Sequence, residues 1–247
     1  MNTSKKIVAM TDGGAALGRI KAQLQSFVSV GTTFEAIESK AQDLIKKAGM
    51  KPSFSTVPGY HWATCVMKNS QVCHGIPQNN SVVSGDVITI DIGLINQGYH
   101  LDTTITFSIG TVSSEILEFL EVGKKSLQKA IEQAIVGNSV YDISFAMEKP
   151  LQRKGYGVVF QLTGHGVGEA LHMEPAIPCV ASKSDKKIKL YEGQTLAIEN
   201  MYTMGSPLLK EAADGWTYET TDGSLSGMFE ETVLVTKNGP QILTKSP

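Results

Sequence analysis

The chain of 247 residues has little of what many specialised proteins rely on. Its three cysteines form no CxxC pattern and its histidines number only five, which excludes a disulfide scaffold and a zinc finger. No run of eighteen apolar residues is present, and the apolar stretch after Lys5 and Lys6 is too short for a signal peptide. A formal net charge of −2 gives no electrostatic footprint for nucleic acid or for a membrane surface. We therefore expect a protein of the reducing cytoplasm, in which any metal site is built mostly from carboxylates.

Apolar residues recur at helical spacing in four parts of the chain, and β-rich stretches lie between and after them. The spacing predicts one helix through Leu17, Ile20 and Leu24 and three more over residues 34–48, 114–135 and 140–154. Strands are predicted within residues 82–110, 194–202 and 228–235. No linker, low-complexity tract or block of charge divides the sequence. We expect one α+β domain over residues 1–247, with helices on one side of a curved antiparallel sheet.

Residues typical of helix ends flank these segments. Thr32 and Glu35 fit a capping box before the second helix, and Gly49 follows its last turn as a stop. Ser139 is predicted to cap the fourth helix, and Pro150 predicts a kink within it. These local signals agree with the segments that the apolar spacing predicts.

The sequence contains a weak internal echo that places acidic residues at matching positions. Residues 85–91 and 193–199 each have a glycine turn, an apolar-rich strand and a carboxylate six residues after the glycine. Asp102 and Glu230 each follow a bulky apolar residue and precede a threonine two positions later. A shared two-fold architecture would bring four acids to a common centre, namely Asp91, Asp102, Glu199 and Glu230.

Four acidic side chains at one place cannot all ionise unaided, because like charges raise their pKa values. Two divalent cations remove this difficulty, and bridging carboxylates hold such ions roughly 3.5 Å apart in two-metal hydrolases. Taken singly, each acid could face solvent on an exposed strand. Taken together, they interrupt strands beside apolar residues such as Ile90, Ile198 and Phe229, which favours a shared buried site.

Two histidines extend the echo, because His74 and His165 each begin a His-Gly element upstream of their acids. Glycines on both sides of His165 let the backbone approach closely and leave the imidazole free to point at a ligand. A phosphate-cradling loop is the alternative for these glycines, but no Lys-Ser/Thr follows and no Rossmann context is evident. His165 is therefore predicted as a metal ligand, the one nitrogen among oxygens.

Eight short segments form a recognisable set. They are residues 72–77 (VCHGIP), 90–92 (IDI), 98–103 (GYHLDT), 164–168 (GHGVG), 171–175 (LHMEP), 198–199 (IE), 214–217 (DGWT) and 229–232 (FEET). Together they resemble type I methionine aminopeptidases, which have the pita-bread metallopeptidase fold, and the resemblance runs from about residue 10 to 245. It implies a pseudo-two-fold, curved antiparallel sheet covered by helices. The ten residues between Asp91 and Asp102 make it specific, and no long insertion separates His165 from Glu199, which favours type I over type II.

The resemblance implies two divalent metal ions (Mn, Fe, Co or Zn) and five ligands, namely Asp91, Asp102, His165, Glu199 and Glu230. Asp102 and Glu230 would bridge the pair, Asp91 would bind one metal, and His165 and Glu199 would complete the other. A metal-bridging hydroxide would attack the scissile carbonyl, with Glu199 as proton acceptor and donor.

The resemblance also implies residues that bind the substrate. His172 would hydrogen-bond the substrate carbonyl as negative charge develops, and His74 would contact the scissile amide and help the leaving group depart. Tyr60, Cys65 and Trp216 match positions that line an apolar pocket for the methionine side chain. The alternative for His74 and His172 is a structural histidine bonded to the backbone. His61 and His100 are expected to be surface or structural residues.

Four departures from the family pattern surround these positions. Leu171 stands where relatives often carry Phe, and residues 54–57 lack the usual Cys and Tyr. Asn200 replaces a Pro after the Glu ligand, and Glu231 stands where many relatives have His. Glu231 could raise the basicity of a ligand or face solvent, so the departures leave the pocket shape and the charge near the ligands open.

The implied activity is removal of the initiator methionine from nascent proteins and peptides with a small second residue. The partner is then a peptide or nascent-chain N-terminus, with transient ribosome contact left open, and we expect a cytoplasmic monomer that binds neither nucleic acid nor membrane. A proline-directed aminopeptidase or prolidase is the nearest alternative. Such enzymes typically carry an Arg where this sequence has residues 226–229 and an extra N-terminal domain for which 247 residues leave no room. A non-catalytic binding protein on the same fold is disfavoured, because all five ligand types are present.

Overall fold

Antiparallel strands form the centre of the molecule, as described by a computed structural model that covers residues 3–247. Within these residues the strands are β1 (Lys51–Pro52), β2 (Thr64–Lys68), β3 (Gln71–Cys73), β4 (Val87–Asn96), β5 (Tyr99–Ser108), β6 (Gly157–Val158), β7 (Thr163–Gly166), β8 (Met173–Pro178), β9 (Thr195–Thr203), β10 (Leu209–Glu211), β11 (Tyr218–Thr220), β12 (Ser226–Thr236) and β13 (Gly239–Ile242). The main sheet has the order β1-β4-β5-β12-β9-β7-β8, with β2 on β4, β6 on β9 and β13 on β12. A second sheet has the order β10-β11-β3. The predicted antiparallel α+β architecture is confirmed.

Four α-helices lie in the described part of the chain: α1 (Thr3–Phe27), α2 (Phe34–Lys47), α3 (Ser114–Ile131) and α4 (Val140–Arg153). Two short 3-10 helices cover Phe54–Thr56 and Lys183–Lys187. None of the helices within residues 3–247 is long and apolar enough to cross a membrane. All four helices fall where apolar spacing predicts them.

The structure corrects two details of these helices. The N-cap of α2 is Thr33, whose side chain accepts a hydrogen bond from the backbone of Ala36, so the predicted capping box of Thr32 and Glu35 is wrong by one residue. The carboxylate of Glu35 instead accepts from a distant backbone N–H. Helix α3 ends at Ile131, short of the predicted residue 135. The backbone N–H groups of residues 133 and 134 donate to carbonyls three positions back, as in a 3-10 turn, instead of four positions back.

Two long strand pairs build the two halves of the main sheet. Strands β4 and β5 pair at ten positions, and β9 and β12 pair at nine. The halves meet between β5 and β12, where the ladder has only two positions, Glu230 with Thr104 and Glu231 with Thr103. The junction between the halves is therefore the shortest part of the ladder among these central strands.

Apolar residues on one face of this sheet pack under the helices. Ile90 and Ile92 of β4 lie in a core with α1 and α2, and Ile198 and Tyr202 of β9 lie in a core with α3 and α4. Because side chains of successive strand residues point to opposite faces, the residues that alternate with these apolar ones project from the other face of the sheet. The helices thus bury one face and leave the acidic residues on the other.

Helix α3 approaches the sheet most closely at Gly123. A Cβ atom at this position would lie 2.0 Å from Oη of Tyr202, which itself donates a hydrogen bond of 2.9 Å to the carbonyl of Phe119. The side chain of Asn200 also reaches α3, since its Nδ2 donates a 2.7 Å hydrogen bond to the Gly123 carbonyl. A residue without a side chain is therefore needed for this helix to sit at this distance from β9.

We expect Gly123→Ala to lower the free energy of unfolding by about 2 kcal/mol, because the added methyl group overpacks a buried contact. Urea unfolding followed by circular dichroism measures this change. The matched control is Lys125→Ala on the exposed face of the same helix, which should change stability by less than about 0.5 kcal/mol. Equal effects of the two substitutions would contradict the assigned close approach.

Candidate metal centre and adjoining pocket

The four acids of the internal echo lie on four neighbouring strands and enter one cavity. Asp91 is on β4, Asp102 on β5, Glu199 on β9 and Glu230 on β12, and each is between 1% and 6% exposed. Glu230 pairs directly with Glu199 across the sheet, and Thr104 pairs with both Asp91 and Glu230. The register of four strands therefore fixes the arrangement of the acids.

Two threonines, each two positions after an acid, cross from one half of the sheet to the other. Thr104 Oγ1 lies 2.9 Å from Oδ1 of Asp91 and 2.9 Å from Oε2 of Glu230. Thr232 Oγ1 donates to the carbonyl of Asp102 at 2.8 Å and accepts from its N–H at 3.0 Å. Each half thus supplies a hydroxyl that holds an acid of the other half. The echo contained both threonines, but it did not indicate this exchange.

Burial dominates the electrostatics of the four acids. It raises the pKa of Asp91 to about 6, although the Thr104 hydroxyl opposes this shift. Burial also raises the pKa values of Asp102, Glu199 and Glu230 well above their ordinary range, and the neighbouring carboxylates add to the effect. Without cations, the cluster therefore retains protons near neutral pH.

Unpartnered oxygen atoms show that the cluster suits a cation. Oδ1 of Asp102 and Oε1 of Glu230 are buried and have no hydrogen-bond partner. Buried polar atoms are normally paired, because an unpaired one costs roughly 1–3 kcal/mol. One ligand atom from each of Asp102, His165 and Glu230 lies within 4.8 Å of the others. These residues fit a metal ion, and their role as ligands stays a prediction.

The imidazole of His165 is oriented toward the acids by its backbone bond. Its Nδ1 lies 3.0 Å from the carbonyl of Gly166, which assigns the proton to Nδ1 and leaves Nε2 as an acceptor. Nε2 lies 3.8 Å from Oε1 of Glu199 and 4.0 Å from Oδ2 of Asp102. Burial lowers the pKa of His165 to about 4, so the ring is neutral at neutral pH. A neutral imidazole with a free Nε2 is the form that binds metals.

All ten predicted site residues line one cavity of about 300 Å³. They are Tyr60, Cys65, His74, Asp91, Asp102, His165, His172, Glu199, Trp216 and Glu230. Sequence reasoning missed several other lining residues, namely Cys73, Gln161, Leu162, Thr163, Met201 and Met228. Cys73 lies in the motif of residues 72–77, and Met201 and Met228 lie two residues from an acid on their strands, so position could have indicated these three.

Beside the acids, the cavity has an apolar recess, which we define by Phe54, Tyr60, Cys65, Leu171 and Trp216. The rings of Tyr60 and Trp216 meet edge to face at 5.1 Å between centroids. Tyr60 Oη donates to the backbone carbonyl of residue 64 at 2.8 Å, which fixes its ring in place. Cys65 pairs across strands with Asp91, so the recess begins next to the acids. Two of the departures from the family pattern, Phe54 and Leu171, thus form part of its wall.

Two further histidines lie at the mouth of the cavity. The ring centroid of His172 is 4.6 Å from that of His165, and the side chain is exposed. His74 is half-buried, and its ring meets Tyr218 edge to face at 5.8 Å. Burial lowers the pKa values of His74 and His172, so both rings are neutral near neutral pH. Within the described residues, no side-chain hydrogen bond joins His74 or His172 to the backbone.

The histidines expected to be structural lie outside the cavity lining. His61 is exposed at the surface, and Nδ1 of His100 lies 2.7 Å from Oγ of Ser53. The backbone N–H of His100 donates to the carbonyl of Gly168 at 2.6 Å. His100 therefore ties β5 to two loops that border the site.

The remaining two departures lie on the helix face of the sheet, directly behind the acids. Asn200 is fully buried, and its Oδ1 accepts a 3.1 Å hydrogen bond from the backbone of Phe229 while its Nδ2 reaches α3. Glu231 does not face solvent but forms an ion pair with Lys21 of α1, with 2.6 Å between Oε1 and Nζ. Both side chains thus connect an acid-bearing strand to a helix.

Comparison with known proteins places this site in a family. The sequence profile of metallopeptidase family M24 matches residues 9–237. Methionine aminopeptidase from Clostridium acetobutylicum is 37% identical over 240 residues, which are 97% of this chain and 96% of that protein. Methionine aminopeptidase from Aquifex aeolicus is 42% identical over 199 residues, or 80% of this chain and 77% of that protein. The chain belongs to metallopeptidase family M24, and it is an enzyme of the peptidase class.

Solved structures of a methionine aminopeptidase and of a prolidase superpose on this chain over nearly its whole length. The crystal structure of methionine aminopeptidase from Thermotoga maritima superposes with a TM-score of 0.94 at 34% identity, covering 98% of this chain and 97% of that one. Prolidase from Pyrococcus furiosus superposes with a TM-score of 0.79 at 23% identity, covering 98% of this chain and 64% of that one. The second likeness shows the fold alone. The predicted pita-bread fold is therefore confirmed.

We expect Glu230→Gln to raise the thermal stability of the metal-free protein at pH 8, because the variant removes a carboxyl group whose pKa is raised by burial and, in addition, by repulsion from the neighbouring acids. Folding raises the pKa of Glu230, so its contribution is favourable only below its unfolded pKa of about 4.3 and is lost as the pH rises. The advantage of the variant should therefore be larger at pH 8 than at pH 5. Thermal unfolding in a chelator at both values measures it.

The same variant should lose most of the stabilisation that added Mn²⁺ gives the original protein. Glu211→Gln is the matched control, because Glu211 is an exposed acid outside the cavity. It should leave both the chelator and the Mn²⁺ curves unchanged. A Glu230→Gln variant that is no more stable in chelator, or that Mn²⁺ stabilises fully, would contradict the assigned repulsion.

Proposed function

We propose that this chain is a metal-dependent methionine aminopeptidase, which removes the N-terminal methionine from peptides and nascent chains with a small second residue. The observation that carries the proposal is the cavity that joins a buried acidic cluster to an apolar recess. Methionine has an unbranched apolar side chain with a polarizable sulfur, which suits a recess of aromatic and thiol groups. The relatives named as methionine aminopeptidases over nearly the full length of the chain support the same activity.

The recess sets which peptide bond reaches the acids. Cys65 lies opposite Asp91 on the neighbouring strand, so a side chain held in the recess carries its own carbonyl to the acidic cluster. The edge-to-face rings of Tyr60 and Trp216 form part of the recess wall and give the side chain apolar surface to pack against. An N-terminal residue fits this arrangement because the chain continues in one direction only, toward the mouth of the cavity.

We propose that Asp91, Asp102, His165, Glu199 and Glu230 hold two divalent cations. The unpartnered oxygens of Asp102 and Glu230 support these two as the residues shared between the cations. When bound, two such cations would polarise a carbonyl and would lower the pKa of a bound water toward neutral pH. A ligand set of four carboxylates and one imidazole suits Mn, Fe, Co or Zn, and metal availability decides among them.

Three residues then handle the substrate and its protons. Glu199 lines the cavity and its Oε1 lies 3.8 Å from Nε2 of His165, which places its carboxylate to take a proton from the attacking water and return it to the leaving amine. His172 stands at the rim with a neutral ring, from which a ring N–H donates to the carbonyl oxygen as negative charge develops. His74 also lines the cavity and would orient the scissile amide.

We further propose that the enzyme acts as a monomer in the cytoplasm, on N-termini as they emerge during synthesis. The near-neutral balance of 22 basic and 24 acidic residues supports an encounter that does not depend on bulk charge. Transient contact with the ribosome fits this role, because the substrate is present there at its source.

Purified protein supplied with Mn, Co, Fe or Zn should hydrolyse Met-Ala-Ser and leave Xaa-Pro peptides intact. Glu199→Gln should retain the fold and lower kcat by about a hundredfold or more, because it removes a charged ligand and the proton acceptor. Liquid chromatography of the released amino acid measures both rates. No turnover of either peptide with any of the four metals would overturn the peptidase assignment, and preferred Xaa-Pro cleavage would favour the prolidase alternative.

His172→Ala should lower kcat by roughly ten- to a thousandfold while changing KM less, because the donor acts on charge that develops in the transition state. His61→Ala is the matched control, since His61 is exposed and lies outside the cavity. Steady-state kinetics on Met-Ala-Ser separates kcat from KM for both variants. An unchanged kcat for His172→Ala would return this residue to a structural role.

A further inference from the structure

A buried ion pair lies behind the acidic cluster, on the helix face of the sheet. Lys21, in the C-terminal third of α1, is 3% exposed, and its Nζ lies 2.6 Å from Oε1 of Glu231 and 2.8 Å from Oγ1 of Thr103. The surrounding core of α1 and β5 is otherwise apolar. Removing an ammonium group from water costs several kcal/mol even after relaxation, so a lysine at this place needs partners that satisfy it.

The partners of Lys21 are the chain neighbours of two acids. Thr103 follows Asp102 on β5, and Glu231 follows Glu230 on β12. Since successive strand residues point to opposite faces, the acids enter the cavity while Thr103 and Glu231 point back toward α1. Lys21 therefore contacts both strands at the positions from which these two acids project.

Hydrogen bonds extend this contact into the backbone of the acids. Thr103 Oγ1 donates to the carbonyl of Glu230 at 2.8 Å, and Thr244 Oγ1 donates to Oε2 of Glu231 at 2.5 Å. Thr244 Oγ1 also accepts from the N–H of Thr232 at 2.9 Å, and Thr232 is the residue that holds the backbone of Asp102. One network thus reaches from α1 to the main chain on both sides of the junction.

The position of this network matters because the junction has few bonds of its own. The ladder between β5 and β12 has only two register positions, against ten between β4 and β5. Side chains replace the missing ladder bonds: Thr106 Oγ1 donates to the carbonyl of Met228 at 2.5 Å and accepts from its N–H at 3.0 Å. The separation of Asp102 and Glu230 therefore depends on side-chain bonds, and the Lys21 contact connects these bonds to helix α1.

We propose that Lys21 is a positioning residue for the metal centre, which acts through Thr103 and Glu231 to fix the spacing of Asp102 and Glu230. The inference rests on the proposed function, because it assigns these two acids to metal binding. Lys21 is not among the residues that line the cavity. Its effect is to hold two strands at the one separation that lets both acids face the same pair of ions.

Three variants separate positioning from stability. Lys21→Met leaves Glu231 buried without its partner and should lower both the melting temperature and the affinity for Mn²⁺. Lys21→Met combined with Glu231→Leu removes the whole pair and should restore the melting temperature, because apolar residues of similar volume can replace a buried pair at little cost. Thr103→Val keeps the ion pair and removes the hydroxyl that accepts from Lys21 and donates to the Glu230 carbonyl.

The measured quantities are the Mn²⁺ dissociation constant by titration calorimetry, the melting temperature in chelator, and kcat and KM on Met-Ala-Ser. The double variant and Thr103→Val should bind Mn²⁺ about ten- to a hundredfold more weakly than the original protein, as expected for groups that orient metal ligands. Their kcat should fall by a similar factor with KM nearly constant. Lys129→Met, which breaks an exposed ion pair with Glu132 on α3, is the control and should change none of these quantities.

Two results would overturn the proposal. One is a double variant whose Mn²⁺ affinity and kcat recover together with its melting temperature, since that would make the pair purely structural. The other is normal Mn²⁺ affinity in Thr103→Val. Failure of the proposed function would look different, because the unaltered protein itself would then bind no Mn²⁺ or release no methionine.

Discussion

Repulsion among four buried carboxylates is the constraint on which the rest of this structure depends. Strands from both halves of the sheet bring them together, and burial raises all four pKa values. Such a cluster is unfavourable in isolation, so it must be held by a scaffold that draws its stability elsewhere. The two apolar cores beneath the helices provide that stability, because they bury the alternate residues of the same strands. Apolar packing on the helix face of the sheet thus offsets the unfavourable burial of the acids on the cavity face.

The long elements could be predicted from the sequence, because they carry a clear periodicity. Strands of nine to eleven residues with apolar alternation, and helices of fourteen or more, leave a pattern that composition alone cannot mimic. The two-residue strands β1 and β6 leave none, since their strand state is set by the partner they pair with. The cap of α2 was misplaced for a related reason. Thr32 and Thr33 have the same chemistry, and only the bond from the backbone of Ala36 distinguishes them.

For the site too, the sequence predicted which residues take part but not how they are arranged in space. Ten of the lining residues followed from the motifs and the family resemblance, but neither indicated distances, the tautomer of His165 or the contact of Thr104 with two acids. The departures at Asn200 and Glu231 could not be interpreted from sequence at all. Their partners lie 77 and 210 residues away along the chain, and nothing local indicates which residues the fold brings beside them.

Each half supplies a threonine hydroxyl that bonds to an acidic residue of the other half, and this mutual dependence limits how the chain can evolve. Thr104 holds an acid of the second half, and Thr232 holds the backbone of an acid of the first. Neither half therefore contains a complete site, and a segment that encodes one half alone carries two acids without the group that restrains one of them. The two halves must be inherited together, and an alteration in one is judged by its fit to the other.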